Sequence, residues 1–313
     1  MLFADVENID AVDFSGREYS LGIFASGFEN RSTYIAKILD HSDFAEMAVL
    51  GFPATEHEEP VRVANDCYFR ENLTAGIHEM NGIDDEEYFY SLLDAALVKC
   101  KAPVFRVCVD YSVMTRSWYA AILNWARVTE SARVIEVDFL YASGRYLDEF
   151  QSLQIQEIVS LPNFEGISTG FRQTTAIFCV GYDTYGTLAV YDRIEPDVTH
   201  CCVAGTQDDD AAVLKAVQLN AVLLESANSI VKLPLLDLVS SFRSLCNLVL
   251  TVERDSHVVI VPMGPKPHVL VTMLVALRMP WITCLYAKGS RRSVVQVDPA
   301  GPVSRCRVRF VSA

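Results

Sequence analysis

The sequence predicts an α/β protein of two parallel-sheet halves, and three observations carry that expectation. Apolar runs rich in Val, Ile, Leu and Cys alternate with helical stretches along the chain, the pattern of parallel strands covered on both faces. One turn is used twice: "GFENRST" at 27–33 and "GYDTYGT" at 181–187 each follow an apolar run. Two more landmarks recur in the same order, "FRVCVDYSVMTR" at 105–116 with "HVVIVPMGPKPH" at 257–268, and "DFLYASGR" at 138–145 with "TCLYAKGS" at 283–290. The offsets are close: 181 − 27 = 154 for the glycines and 286 − 141 = 145 for the tyrosines. Recurrence in register points to an internal duplication.

Each half reads as a Rossmann-like unit, and the pair as a pseudo-twofold. In the first half, strands are expected near 19–26, 43–51, 104–110 and 133–141, with helices near 31–39, 84–99 and 115–128. Acids open the helix in "IDDEEYFYSLL", where the helix dipole favours them. In the second half, strands are expected near 174–181, 199–205, 257–263 and 281–287. Its helices fall near 185–193, 208–225, 233–252 and 267–278, with "DDD" at 208–210 as an acidic helix start. The Pro, Asn and Gly of "LPNFEGISTGFRQ" place a boundary that gives lobes 1–168 and 169–313.

At 313 residues the length suits two domains. No apolar run reaches the ~18 residues of a membrane span, and the acidic N-terminus lacks a signal-peptide layout. The nine cysteines are odd in number and lack C-x-x-C spacing, which fits a reducing compartment. A cytoplasmic protein without a membrane partner is expected. The net charge of −14 argues against non-specific DNA binding. The basic "KGSRRS" and "SRCRVR" near the C-terminus read as a solvated edge strand or a phosphate patch. The scattered histidines give no zinc spacing, and no cofactor is expected. "GISTG" fits G-x-S-x-G on paper but lacks the following helix of a nucleophile elbow.

Loops at the carboxyl ends of the strands are where open α/β sheets bind ligands. Gly27 can take positive φ and let the backbone approach a ligand. Ser32 can cap the helix that follows, Glu29 can accept from a ribose hydroxyl, and Arg31 can clamp a phosphate. The second copy supplies Gly181, Asp183 and Thr187, with Tyr185 where the first has Arg31. In "VDYSVMTR", Asp110 can receive from a base or sugar, Ser112 and Thr115 can hold a phosphate, and Arg116 can pair with it. "VPMGPKPH" offers Gly264, Lys266 and His268 at the same kind of place, and Tyr141 and Tyr286 can stack on a base. Each also has a plain structural role open to it, as a capped turn, a surface cation or a packed tyrosine.

These strings resemble the motif of CARF domains, Rossmann-like sensors of cyclic oligonucleotides in prokaryotic antiviral systems. "VDYSVMTR" is similar to it at Asp110, Ser112 and Arg116, and "VPMGPKPH" at Gly264 and Lys266. Two such units in one chain resemble the SAVED arrangement. The first turn departs by lacking Gly, the second by lacking the acid. The resemblance implies a nucleotide-ligand sensor or regulatory subunit in antiviral defence, with a nucleotide or cyclic oligonucleotide as ligand and a partner effector protein. Gly27, Asp110, Ser112, Arg116 and Lys266 would line the cleft. Two other readings stay open: an enzyme hydrolysing a nucleotide or nucleic acid in the same inter-lobe cleft, with Asp110 or Glu29 as base, and a ligand-free interaction scaffold.

Overall fold

Runs of buried β-branched and aromatic residues become the strands of two sheets in the computed structural model. It describes residues 1–10, 16–53, 59–73, 76–82, 85–146, 152–167, 170, 173–205, 211–252, 256–290 and 295–312. Strands β1 to β6 are Leu2–Asn8, Leu21–Ser26, Met47–Gly51, Ile77–Glu79, Val104–Asp110 and Val134–Tyr146. Strands β7 to β13 are Gln154–Ser160, Gln173–Cys179, Val198–Gly205, Ser229–Pro234, Ser256–Pro262, Thr283–Ser290 and Val297–Val311. Helices α1 to α4 are Tyr34–Ile38, Pro60–Asn72, Asp85–Lys99 and Arg116–Val128. Helices α5 to α9 are Thr184–Ile194, Ala211–Leu219, Ala221–Ser226, Leu238–Thr251 and Lys266–Arg278.

The first sheet runs β1-β13-β6-β5-β2-β3-β4 and the second β10-β9-β8-β11-β12-β7. From β6 to β4 the first is all parallel, as is the second from β10 to β12. Counted within its half, each parallel core has the order third, second, first, fourth, fifth. That is the doubly wound α/β order, with a switch point between first and fourth strands. The fold class read from the sequence is therefore observed.

Ladder register matches the two cores as well. Ile23 lies opposite Val109, and Ile177 opposite Ile260. Cys108 lies opposite Asp138, and Val259 opposite Thr283. Starting from Gly27 and Gly181, these pairs equate Tyr141 with Tyr286, as expected. They also move the middle landmark by one residue, equating Asp110 with Val261 and Val113 with Gly264. The fourth-strand helices behave alike. Trp118 to Ala126 in α4 and Pro267 to Ala276 in α9 are buried without interruption, so each helix is enclosed on every side.

The domain division differs from lobes of 1–168 and 169–313. One compact unit is Met1–Glu149 with Val295–Ala313, and the other is Phe150–Val294. Strand pairing is the reason. β13 pairs antiparallel with β6 of the first sheet, and β7 antiparallel with β12 of the second. The basic C-terminal strand is not a solvated edge either, because β1 covers its other side. Its Arg307 is 5% exposed and forks onto Asp138, with both bonds at 2.7 Å.

Candidate functional site

In the first unit the turn after β2 is built by its own polar atoms. Ser32 Oγ accepts from the Gly27 amide at 2.9 Å and donates to the Ala25 carbonyl at 2.7 Å. It therefore folds the turn back onto β2 and caps no helix. Asn65 of α2 donates to the Gly27 carbonyl at 2.9 Å and to the Glu29 carbonyl at 3.1 Å. Gly27 does not adopt positive φ. A Cβ there would lie a tight 3.2 Å from the Val113 side chain and in ordinary contact, 3.4 Å, with the Phe52 ring.

Arg31 turns inward and is 4% exposed. Its Nε pairs with Glu29 at 2.6 Å, and its Nη1 donates to the Ala142 carbonyl at 2.9 Å and the Tyr141 hydroxyl at 3.1 Å. The guanidinium also lies 5.2 Å from the Tyr141 ring centroid. Burial works against the charge, but Tyr141 and Glu29 outweigh it and hold the pKa above the usual arginine value. The expected phosphate clamp and base-stacking tyrosine thus bind each other and pin the end of β6.

The loop after β5 is locked in the same way. Asp110 is 1% exposed, and its Oδ1 accepts from the Ser112 amide at 3.0 Å. Ser112 Oγ accepts from the Ala142 amide at 2.8 Å. Thr115 sits at the N-cap of α4 without capping it, its hydroxyl 2.9 Å from that of Ser117. Arg116, the first residue of α4, is half-buried.

Beside that helix start lies an aromatic wall that sequence reasoning missed. Phe52 stacks on Trp118 with centroids 4.7 Å apart, and Phe28 leans on Phe52 at 5.8 Å. Phe28 and Phe52 are half-buried, and Trp118 is buried with its indole nitrogen donating to Asp85 at 2.7 Å. Arg62 lies 5.5 Å over Phe28, held by Asp66 at 2.7 Å and by the Phe52 carbonyl at 3.1 Å. The available signal was "GFP" at 51–53, Gly and Pro around an aromatic directly after a strand.

The second unit uses the matching positions differently. Gly181 and Gly264 face each other: a Cβ on the first would lie 2.8 Å from the Met263 carbonyl, and one on the second 3.0 Å from the Val180 carbonyl. Asn220 donates to the Gly181 carbonyl at 2.7 Å, the counterpart of Asn65 on Gly27. Asp183 caps α5 through the Gly186 amide at 3.0 Å and accepts from the Leu153 amide at 3.0 Å. Thr187 donates to the Asp183 carbonyl at 2.6 Å. Tyr185, the counterpart of Arg31, is 77% exposed.

Lys266 opens α9 and is half-buried, as is Tyr286 on β12 opposite Val159. His268 is not a surface residue. It is fully buried, and desolvation pulls its pKa down to about 4 against the nearby backbone of Pro234 and Leu233, so it is a neutral core group. Ser168 and Thr169 of the G-x-S-x-G pattern, the acids at 208–210, and Arg291 and Arg292 lie outside the described residues. Among the described residues no cluster of His, Cys, Asp or Glu could hold a metal ion. No helix among them is long and apolar enough to cross a membrane.

Fold and edge together define a class: a two-unit α/β chain whose sheets both have the doubly wound order. No protein-family model and no curated protein matches the sequence.

Proposed function

We propose that the chain binds a nucleotide-type ligand at the carboxyl edge of the first unit's sheet, and acts as a sensor or regulatory subunit. One observation carries this reading. The half-buried Phe28–Phe52 pair stacks through Phe52 on Trp118, in the first turn of α4, the helix that Arg116 opens. An aromatic face accepts a base, and a helix start with an arginine attracts phosphate. The likeness of "VDYSVMTR" to the CARF motif supports the same ligand class and a role in antiviral defence. The signal would pass to a partner effector protein.

Binding is favoured over hydrolysis by where the candidate bases sit. Asp110 is only 1% exposed, and Glu29 is held on the buried Arg31. A general base must come within hydrogen-bond reach of the proton it takes.

A thermal-shift screen of mono-, di- and cyclic nucleotides tests the reading, with chromatography of the same mixtures. Stabilisation without new products is the expected result. Base stacking is worth about 1–3 kcal/mol, so Phe52→Ala should weaken binding roughly 5- to 150-fold. Arg116→Ala should weaken binding further and reduce its salt dependence. Turnover lost in Asp110→Asn would establish the enzyme instead. No shift with any nucleotide would leave the scaffold.

A further inference from the structure

We propose that residues 1–170 and 171–313 are complementary half-chains, each closing the other's sheet with one antiparallel strand, and that the twin turns receive that strand. This goes beyond ligand binding and explains why one turn pattern occurs twice. Ladder register makes β6 and β12 equivalent fifth strands. In chain order β7 follows β6 but pairs with β12, while β13 follows β12 but pairs with β6. The exchange is reciprocal, as expected of two half-chain copies fused end to end.

The turns meet the incoming strands in both units. In the first, Asn30 donates to Asp298 at 2.7 Å, and the Phe28 carbonyl accepts from Gln296 at 3.1 Å. In the second, Asp183 accepts from the Leu153 amide, one residue before β7, at 3.0 Å. Positions 28–30 and 183 thus do one job: they hold the residues that enter or precede the exchanged strand.

The two joints differ in grip. β13 is paired from Val297–Tyr146 to Phe310–Ile135, and Cys306, Val308 and Phe310 are fully buried on it. Arg307 forks onto Asp138, which also accepts from the Tyr19 hydroxyl at 2.6 Å, and Arg309 reaches Glu136 at 2.8 Å. β7 is paired only from Leu285–Ser160 to Ser290–Gln154, and its ion pair, Lys288 with Glu157 at 3.5 Å, is exposed. A buried guanidinium–carboxylate fork fixes register more than an exposed pair does.

The test is to cut the folded chain. Gly170 is exposed, and a side chain there meets nothing within 4 Å, so a protease site can be inserted after it. The expected result is that the two fragments co-elute at the mass of the intact chain and part only in denaturant. Fragments that separate or precipitate on cutting would overturn the proposal. A second version is cut at Ser152 and Val295, which leaves β7 on the piece that holds β12 and makes β13 a peptide held by its pairing with β1 and β6. Separation of residues 153–294 from residues 1–152 is expected there, and their continued co-elution would show that the strands are not the joint. The seats are tested in the Gly170-cut chain with Asn30→Ala and Gln296→Ala together. Removing two hydrogen bonds should weaken fragment association roughly tenfold or more. Unchanged association would overturn the role of the first turn.

Discussion

The turns at 27–33 and 181–187 share a sequence pattern and differ in almost every side-chain job. In the first, the acid pairs with Arg31, and that arginine is buried against Tyr141. In the second, the acid caps α5, and the residue matching Arg31 is an exposed tyrosine. What they share lies in the main chain. A glycine meets the neighbouring loop where a side chain would crowd it, and an asparagine from the second crossover holds its carbonyl. The comparison teaches that a repeated motif can record a repeated backbone requirement while its side chains diverge.

The sharpest way to break the comparison is to exchange its extremes. Arg31→Ala strips a buried cation from Glu29, Tyr141 and the Ala142 carbonyl. It should cost about 3–5 kcal/mol in denaturant unfolding. Tyr185→Ala at the matching exposed position should stay within about 0.5 kcal/mol. Equal costs would mean that the two turns carry load alike.

The next effect is the pH dependence that His268 brings to the second unit. His268 has its folded pKa pulled down to about 4 from an ordinary 6.5. The unfolded chain therefore binds the proton more readily. The His268 contribution should be constant above pH 6.5, be lost as the pH drops towards 4, and stop changing below that, while burial of Asp138, which raises its pKa to about 7, acts in the opposite direction from the first unit. At about 1.4 kcal/mol per pH unit the full loss is roughly 3 kcal/mol. Urea titrations across this range, compared with His268→Leu, measure it. A slope unchanged by the substitution would assign the effect elsewhere.

Smaller again is the glycine pair. Gly181→Ala drives a Cβ to 2.8 Å from a backbone oxygen, whereas Gly27→Ala meets the Val113 side chain at 3.2 Å. The first should cost about 1–3 kcal/mol and the second less, because a side chain can shift and a carbonyl in a packed loop cannot. Smallest is the matched pair Asn65→Ala and Asn220→Ala. Each frees one or two carbonyls and should cost about 1–2 kcal/mol. Similar values would sharpen the equivalence of the halves, and a neutral result at one site would weaken it.

Much of the parallel core was legible because its strands are buried on both faces. β2, β5 and β8 are almost wholly enclosed, and such strands show as continuous apolar runs. Edge elements were not. β1 is mostly exposed, β4 is three residues long, and β10 carries Lys232, so none shows the strong apolar signal of a central strand. α2, in "PVRVANDCYFREN", was missed because its buried face includes Arg62 and Asn65 as well as Phe69. Arg62 is tied to Asp66, and Asn65 to the turn carbonyls. Of the candidate site, the sequence offered the right loops. It misjudged the direction of Arg31 and Tyr141, since an arginine drawn as a phosphate clamp and one drawn as a buried strut look the same in one dimension.

By itself, then, the sequence determined the class of fold, the central strands of each parallel core and the recurrence of one turn pattern. Each of these follows from local periodicity and from glycine at close backbone approaches. Only the tertiary structure decided which sheet receives β7 and which receives β13, which charges are buried, and which aromatics face the α4 helix start. Those outcomes depend on pairing between residues far apart in the chain, where hydrogen bonding and desolvation act and short-range pattern carries no information.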